Sequence, residues 1–154
     1  MHDEAEIFGA LQESGARVLV IGRRALIAFG VPVMTADDDL WVHIDDIERL
    51  NRALDPLDFA PNHAPAAARA RGRYVLENHD HIDVLVARQQ STVDGEVVAF
   101  DEVWARRVTQ RYDATIALAV PSIPDLIRTK KWAHRAKDVA DIQLLEALLH
   151  DGTA

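Results

Sequence analysis

Thr35-Ala36-Asp37-Asp38-Asp39-Leu40 places three consecutive aspartates at the entry of an alternating run. From residue 39 to 44 the chain alternates, with Leu40, Val42 and Ile44 pointing one way and Asp39, Trp41 and His43 the other. That is the period-two pattern of a strand. Carried back through the strand entry, it puts Asp37 and Asp39 on one face and Asp38 on the opposite one. Two same-face carboxylates two residues apart suit a pair of hard cations, and magnesium takes one or two carboxylates plus oxygens from substrate phosphates. Paired ions about 3.5–4 Å apart activate an attacking oxygen and stabilise a leaving one. A lone Asp-x-Asp is common in loops, so its surroundings carry the argument.

Upstream, residues 3–13 have a weak helical pattern around Ile7, Phe8 and Leu11. Val18-Leu19-Val20-Ile21 is a continuous apolar run, as in a strand buried on both faces. It ends at Gly22, and residues 24–29 read as a helix stopped by Gly30 and Pro32. Downstream, Asp45 with Glu48 forms a capping-box pattern for a helix whose apolar face is Ile47, Leu50 and Leu54. After the Pro56–Pro65 region, with Ala64-Pro65-Ala66-Ala67-Ala68 a loop or short helix start, residues 73–77 and 81–87 read as strands joined at 78–80. Residues 97–100 and 115–120 add strands, the latter ended by Pro121. Ser122 with Asp125 opens a helix through about His134, and a last helix over about 138–149, apolar nearly all round, is expected to close as a lid on the core.

Two residues outside the Asp37–Asp39 pair look out of place for structure alone. Asp83 lies inside a strand, where Ile82, Val84 and Val86 share one face and His79, His81 and Asp83 the other; aspartate is disfavoured in strands. Lys130 falls on the apolar stripe of its helix with Ile123, Leu126, Ile127 and Ala133.

Composition bounds the rest. At 154 residues the chain is one domain's length, 1–154, with the helices of about 123–149 packed on its core. It has no cysteine, which removes disulfides and thiolate metal sites. The net charge of −8 excludes a general polyanion coat. The charge is uneven: residues 1–65 hold twelve acids and five bases, while residues 103–137 hold eight bases and two acids. Carboxylates for cations and cations for phosphates are thus both at hand. The acidic start, Met1-His2-Asp3-Glu4-Ala5-Glu6, has no leader pattern, and no run is long enough for a membrane span, so a cytoplasmic protein is expected.

The ordered set resembles the nucleotidyltransferase fold, in particular the minimal AbiEii/MenT-type toxins and related stand-alone nucleotidyltransferases. The matching pieces are Val18-Leu19-Val20-Ile21-Gly22-Arg23-Arg24-Ala25, Gly30, Thr35-Ala36-Asp37-Asp38-Asp39-Leu40, Asp83, Leu126-Ile127-Arg128-Thr129-Lys130, and Arg135-Ala136-Lys137-Asp138-Val139-Ala140-Asp141-Ile142. The resemblance implies an α+β fold with a mixed sheet flanked by helices, and transfer of a nucleoside monophosphate from an NTP to an acceptor hydroxyl. It implies Asp37, Asp39 and Asp83 as ligands of two Mg2+ ions, with Asp83 also drawing the acceptor's proton. Gly22 and Arg23, at a helix start, and Lys130 would meet the nucleotide's phosphates. A tRNA 3′ end as acceptor and an antitoxin protein as partner also follow from the toxin likeness. The sequence departs from the pattern at Arg23 (a small residue in the family), Val33 (commonly arginine) and Asp38 (usually apolar). Two alternatives therefore stand beside it: a catalytically impaired module that binds nucleotide or protein, and a small-molecule modifier such as an antibiotic nucleotidyltransferase.

Other residues have two readings each. His79, His81 and Asp83 offer donors for zinc or nickel but sit where hairpin tips are usually exposed; His81, and also His43, are candidates to line a pocket. Trp104 and Trp132 are expected to pack, with base stacking the alternative for Trp132. Arg69, Arg71 and Arg73 fit an RNA or nucleotide tail, or a solvated hairpin edge. Asp138 and Asp141 are expected to pair locally with Arg135 or Lys137.

Overall fold

In the computed structural model, which describes residues 3–133 and 135–151, the apolar run forms β1 (Val18–Ile21) and all four of its residues are buried. It is joined by β2 (Asp38–Val42), β3 (Ala60–Pro61), β4 (Arg73–Glu77) and β5 (His81–Leu85) in a five-stranded sheet ordered β1-β2-β5-β4-β3. Only β2 and β5 run parallel; the other pairs are antiparallel. The mixed sheet is the one expected.

Strand alternation sorts the side chains. Val18, Val20, Leu40, Val42, Ile82 and Val84 point into the main core, where they meet α1 (Glu4–Glu13) through Phe8, α2 (Gly22–Ala28) through Leu26 and α3 (Ile47–Leu54) through Leu50. Full burial of each such leucine or phenylalanine contributes about 1.5–3 kcal/mol. On the opposite face Leu19, Ile21, Trp41 and Leu85 join a second cluster with Val98, Phe100 and Val103. These come from a hairpin, β6 (Gln89–Ser91) and β7 (Val97–Ala99), and from α5 (Phe100–Ala105). A second hairpin, β8 (Val108–Arg111) with β9 (Ala117–Val120), leads into α6 (Ile123–Lys130) and α7 (Ala136–His150). Between sheet strands, α4 (Pro65–Arg71) ends at Gly72, whose φ of +80° makes the left-handed turn into β4.

Several expectations are corrected. No capping box forms at Asp45–Glu48: α3 starts at Ile47, the Asp46 carboxylate accepts from the backbone and guanidinium of Arg17, and Glu48 pairs with Arg69. The last helix is not apolar all round. Asp138, Asp141, Ile142 and Leu145 are its buried residues, while Val139 and Leu144 are exposed. It packs by one stripe on α6 and α2. The elements β3, α5, β6 and β8 were not expected: β3 is two exposed residues, and β6 and β8 alternate exposed and half-buried positions and carry Gln, Thr and Arg, so they lack a hydrophobic period. The helix opened by Ser122 is present, its hydroxyl accepting from the Asp125 N–H at 3.3 Å. His134, where the sequence reading ended that helix, lies outside the described residues, as do Met1 and His2 of the acidic start.

Candidate active site

The register across the sheet builds a charged row. Ile21 is opposite Asp39, Asp39 opposite Asp83, and Asp83 opposite Val75, so β1, β2, β5 and β4 present these four side chains on one face. Neighbouring strands lie about 4.8 Å apart, so Asp39 and Asp83 are side by side. The row floors a cleft of about 620 Å³. Just ahead of β2, Asp37 joins it: the Thr35 hydroxyl accepts from the Asp37 N–H at 3.1 Å and shapes the strand entry.

Gly22 follows β1 directly, with φ +68°, and packs on Asp39. A Cβ at this position would come within 2.5 Å of Asp39 Oδ2, so only glycine allows this approach. Burial pushes the Asp39 carboxyl above the usual carboxylate range, and the charges of Asp83 and Asp37 push it further; Lys130 and Lys137 oppose them. A carboxylate held this way gains from a cation. Asp38, on the other face, is also raised by burial, against the pull of Arg24, whose guanidinium donates to it at 2.9 Å and pairs with Glu4 at 2.6 Å. The charge directed toward the core is thus matched by a cation.

The α6–α7 wall holds a compact ion cluster. Lys130, 7% exposed, donates from Nζ to Asp141 Oδ2 at 2.9 Å and lies 4.0 Å from Asp138 Oδ1. Arg23 reaches the same Asp141 through Nε at 3.3 Å and Nη2 at 3.2 Å, and donates from Nη1 to the Met34 carbonyl at 3.3 Å. Asp138 pairs with Arg135 as expected, at 3.0 Å. Asp141 does not: its partners are Lys130 and Arg23, because the helix turns it inward to full burial.

All six residues singled out for chemistry, Gly22, Arg23, Asp37, Asp39, Asp83 and Lys130, line this cleft. His81 does not; it is exposed, with Nε2 4.0 Å from Asp83 Oδ2, and His79 is exposed as well. His43 is turned away, its ring edge-on to Phe100 and its Nε2 3.5 Å from Asp101. Trp104 stacks on Phe100 beneath the Arg107 guanidinium. Trp132 packs edge-on to Trp41 at 5.1 Å yet also lines the cleft. Arg69 is committed to the Ile44 carbonyl and Glu48, whereas Arg71 and Arg73 line the cleft. The sequence reading missed Asn62 and His63 on the wall and gave Lys137 only a local pairing role. Asn62 exchanges hydrogen bonds with both backbone groups of Val75, a link between distant segments that no local pattern signals.

The donors fit a hard cation in kind: three carboxylates, of which Asp39 is destabilised without a counter-charge. They are not a closed cage. Among the described residues no three Asp, Glu, His or Cys side chains are gathered into a preformed metal site.

No protein-family model and no curated protein matches the chain. Solved structures do. The antibiotic-resistance factor ANT(2'')-Ia, in solution, superposes with a TM-score of 0.68 at 14% identity, over 97% of this chain and 83% of that one. Its crystal structure in complex with adenylyl-2''-tobramycin gives 0.67 at 14%, over 97% and 89%. A Thermotoga maritima protein assigned as a nucleotidyltransferase gives 0.59 at 13%, over 96% and 90%. At such identities the likeness speaks to architecture: the chain has the nucleotidyltransferase fold.

Proposed function

We propose that this protein transfers a nucleoside monophosphate from an NTP to an acceptor hydroxyl. The observation that carries the reading is the in-register Asp39–Asp83 pair on the cleft floor, with Asp37 beside it and Gly22 pressed against Asp39. Asp37, Asp39 and Asp83 would hold two magnesium ions, which supply charge neutralisation at the phosphates and acidify the attacking hydroxyl. Asp83 takes the acceptor's proton. The acceptor oxygen forms a bond to the α-phosphorus, the bond from that phosphorus to the bridging oxygen breaks, and pyrophosphate leaves with that electron pair. Lys130, held by Asp141 on a nearly dry wall and already opposing the rise of the Asp39 carboxyl, would add positive charge on the side of the cleft where the phosphates lie. Arg23 is engaged by Asp141 and the Met34 carbonyl, and this anchoring is the support for an active enzyme over an impaired binding module.

The toxin class, with a tRNA acceptor and an antitoxin partner, has the sequence resemblance as its support. A second reading, modification of an antibiotic, is favoured by the structural neighbour bound to adenylyl-2''-tobramycin. The test incubates the protein with Mg2+ and each α-labelled NTP, with tRNA or with tobramycin, beside Asp39→Ala. Label on an acceptor that needs intact Asp39 supports transfer, and the labelled acceptor separates the two classes. Absence of label on every acceptor, with NTP binding indifferent to Mg2+, overturns it.

A further inference from the structure

The cations of the cleft fall into two groups. On the α6–α7 side Lys130 and Arg23 share Asp141 and Arg135 pairs with Asp138, while Lys137 also lines the cleft. Arg71, at the end of α4, and Arg73, at the start of β4, line the same cleft but are exposed and have no ion-pair partner among the described residues. Their place in the fold is informative. Gly22 and Arg23 sit at the β1 side of the floor, and β4 lies on the far side of Asp83. With three strand spacings between β1 and β4, the two ends of the cleft are about 14 Å apart. His63, next to the Asn62 that anchors its turn on Val75, stands on this far wall too. The acids of the cleft are the three floor carboxylates and Asp138, which Arg135 occupies. Of the described residues that line the cleft, none on the Arg71–Arg73 wall is acidic; Glu77 shares the face of Arg73 on β4 but stands four residues further along, outside the lining.

We infer that the Arg71–Arg73 wall selects an acceptor that carries a phosphate beside its reacting hydroxyl, and rejects polycationic aminoglycosides. The inference rests on the transfer reading above, in which Asp83 faces the acceptor. Arginine suits this task because its planar fork binds phosphate oxygens two at a time. Were the antibiotic reading right, an acceptor with several ammonium groups would lie against two guanidiniums that no lining acid of their own wall offsets, which like-charge repulsion disfavours.

The test uses the full chain and the charge-reversed double variant R71E/R73E, both exposed positions whose folding is checked by circular dichroism. The probes are a fluorescein-labelled RNA pentamer, ribose 5-phosphate and tobramycin. In fluorescence anisotropy at low salt, the wild type is expected to bind the pentamer, and the variant at least tenfold more weakly. Ribose 5-phosphate should displace the pentamer if an isolated phosphate suffices; failure to displace while the pentamer binds assigns the wall to a polynucleotide phosphate. In transfer assays the variant should raise the acceptor KM at least tenfold and leave nucleotide binding, measured without acceptor, within twofold. Unchanged anisotropy overturns the inference, as does wild-type labelling of tobramycin. A loss confined to NTP affinity also overturns it, because the arginines then serve the triphosphate. Pentamer binding that depends on Arg71 and Arg73 without transfer to any acceptor upholds the anion-binding wall and sinks the transfer reading instead.

Discussion

Gly22 shows how one backbone position conditions the chemistry. Its φ of +68° costs a side-chain-bearing residue about 1–2 kcal/mol, and a Cβ would sit 2.5 Å from Asp39 Oδ2. Gly22→Ala is therefore expected to lower stability by about that amount and to displace the carboxylate, reducing kcat roughly 100-fold; denaturant melts and steady-state transfer assays read the two effects. At Asp39 stability and the proposed activity oppose each other. Its carboxyl is raised in the folded state by burial and by Asp83 and Asp37. Protonated Asp39 thus favours folding below the ordinary carboxylate range, and that contribution is lost as pH rises through the folded value. At pH 7 the ionised group burdens the fold. Asp39→Asn should raise Tm at pH 7 while abolishing transfer, and Mg2+ should raise the Tm of the wild type but not of the variant. A fall in Tm for Asp39→Asn would mean that the carboxylate already has a compensating partner.

Among the elements, α6 has the most exacting task, since it must hold Lys130 inward. Asp125, fully buried in its first turn, secures it. Arg106 from the end of α5 donates to both of its oxygens at 2.9 Å, and Arg128 donates at 2.7 Å. Burial alone would raise the Asp125 carboxyl, but the hydrogen bonds from Arg106, Ser122 and Arg128 outweigh it and hold it below the usual range. Its stabilisation is present above the unfolded value and is lost as pH falls through the folded one. Asp125→Ala should cost about 1–3 kcal/mol, less than removal of a fully buried pair because both arginines keep access to water. It should also flatten the acid limb of the stability–pH profile, measured by urea denaturation from pH 3 to 7. The helix itself was legible in Ser122, Asp125 and the stripe of Ile123, Leu126 and Ile127. The arginine that fixes it was not, because Arg106 is nineteen residues away and nothing in its own neighbourhood marks it.

For the molecule as a whole, the two faces of one sheet support two clusters, and Trp41 ties the sheet to the second. Its ring meets Phe100 at 5.3 Å and Trp132 at 5.1 Å, and its Nε1 donates to the Ala87 carbonyl at 2.8 Å. We propose that the chain unfolds as a single domain. Differential scanning calorimetry should show one transition with matching calorimetric and van't Hoff enthalpies, and Trp41→Ala should lower stability by about 3–5 kcal/mol without splitting it. Two resolved transitions would separate the second cluster from the main core. No helix among the described residues is long and apolar enough to cross a membrane.

What depends on neighbours along the chain could be read from the residues directly. Strand alternation placed Asp39 apart from Asp38, the apolar run identified β1, and helical spacing turned Lys130 inward. Each is a short-range consequence of backbone geometry, so the residues carry it openly. Who meets whom was settled by packing in three dimensions. It set Asp39 beside Asp83 through the parallel β2–β5 pairing, gave Lys130 and Arg23 a common partner in Asp141, and left Arg71 and Arg73 bare on the far wall. Ion pairing and register join residues from different elements, from 11 to 118 positions apart in the Asp141 cluster, and their outcome depends on which alternative partners the packed core leaves within reach.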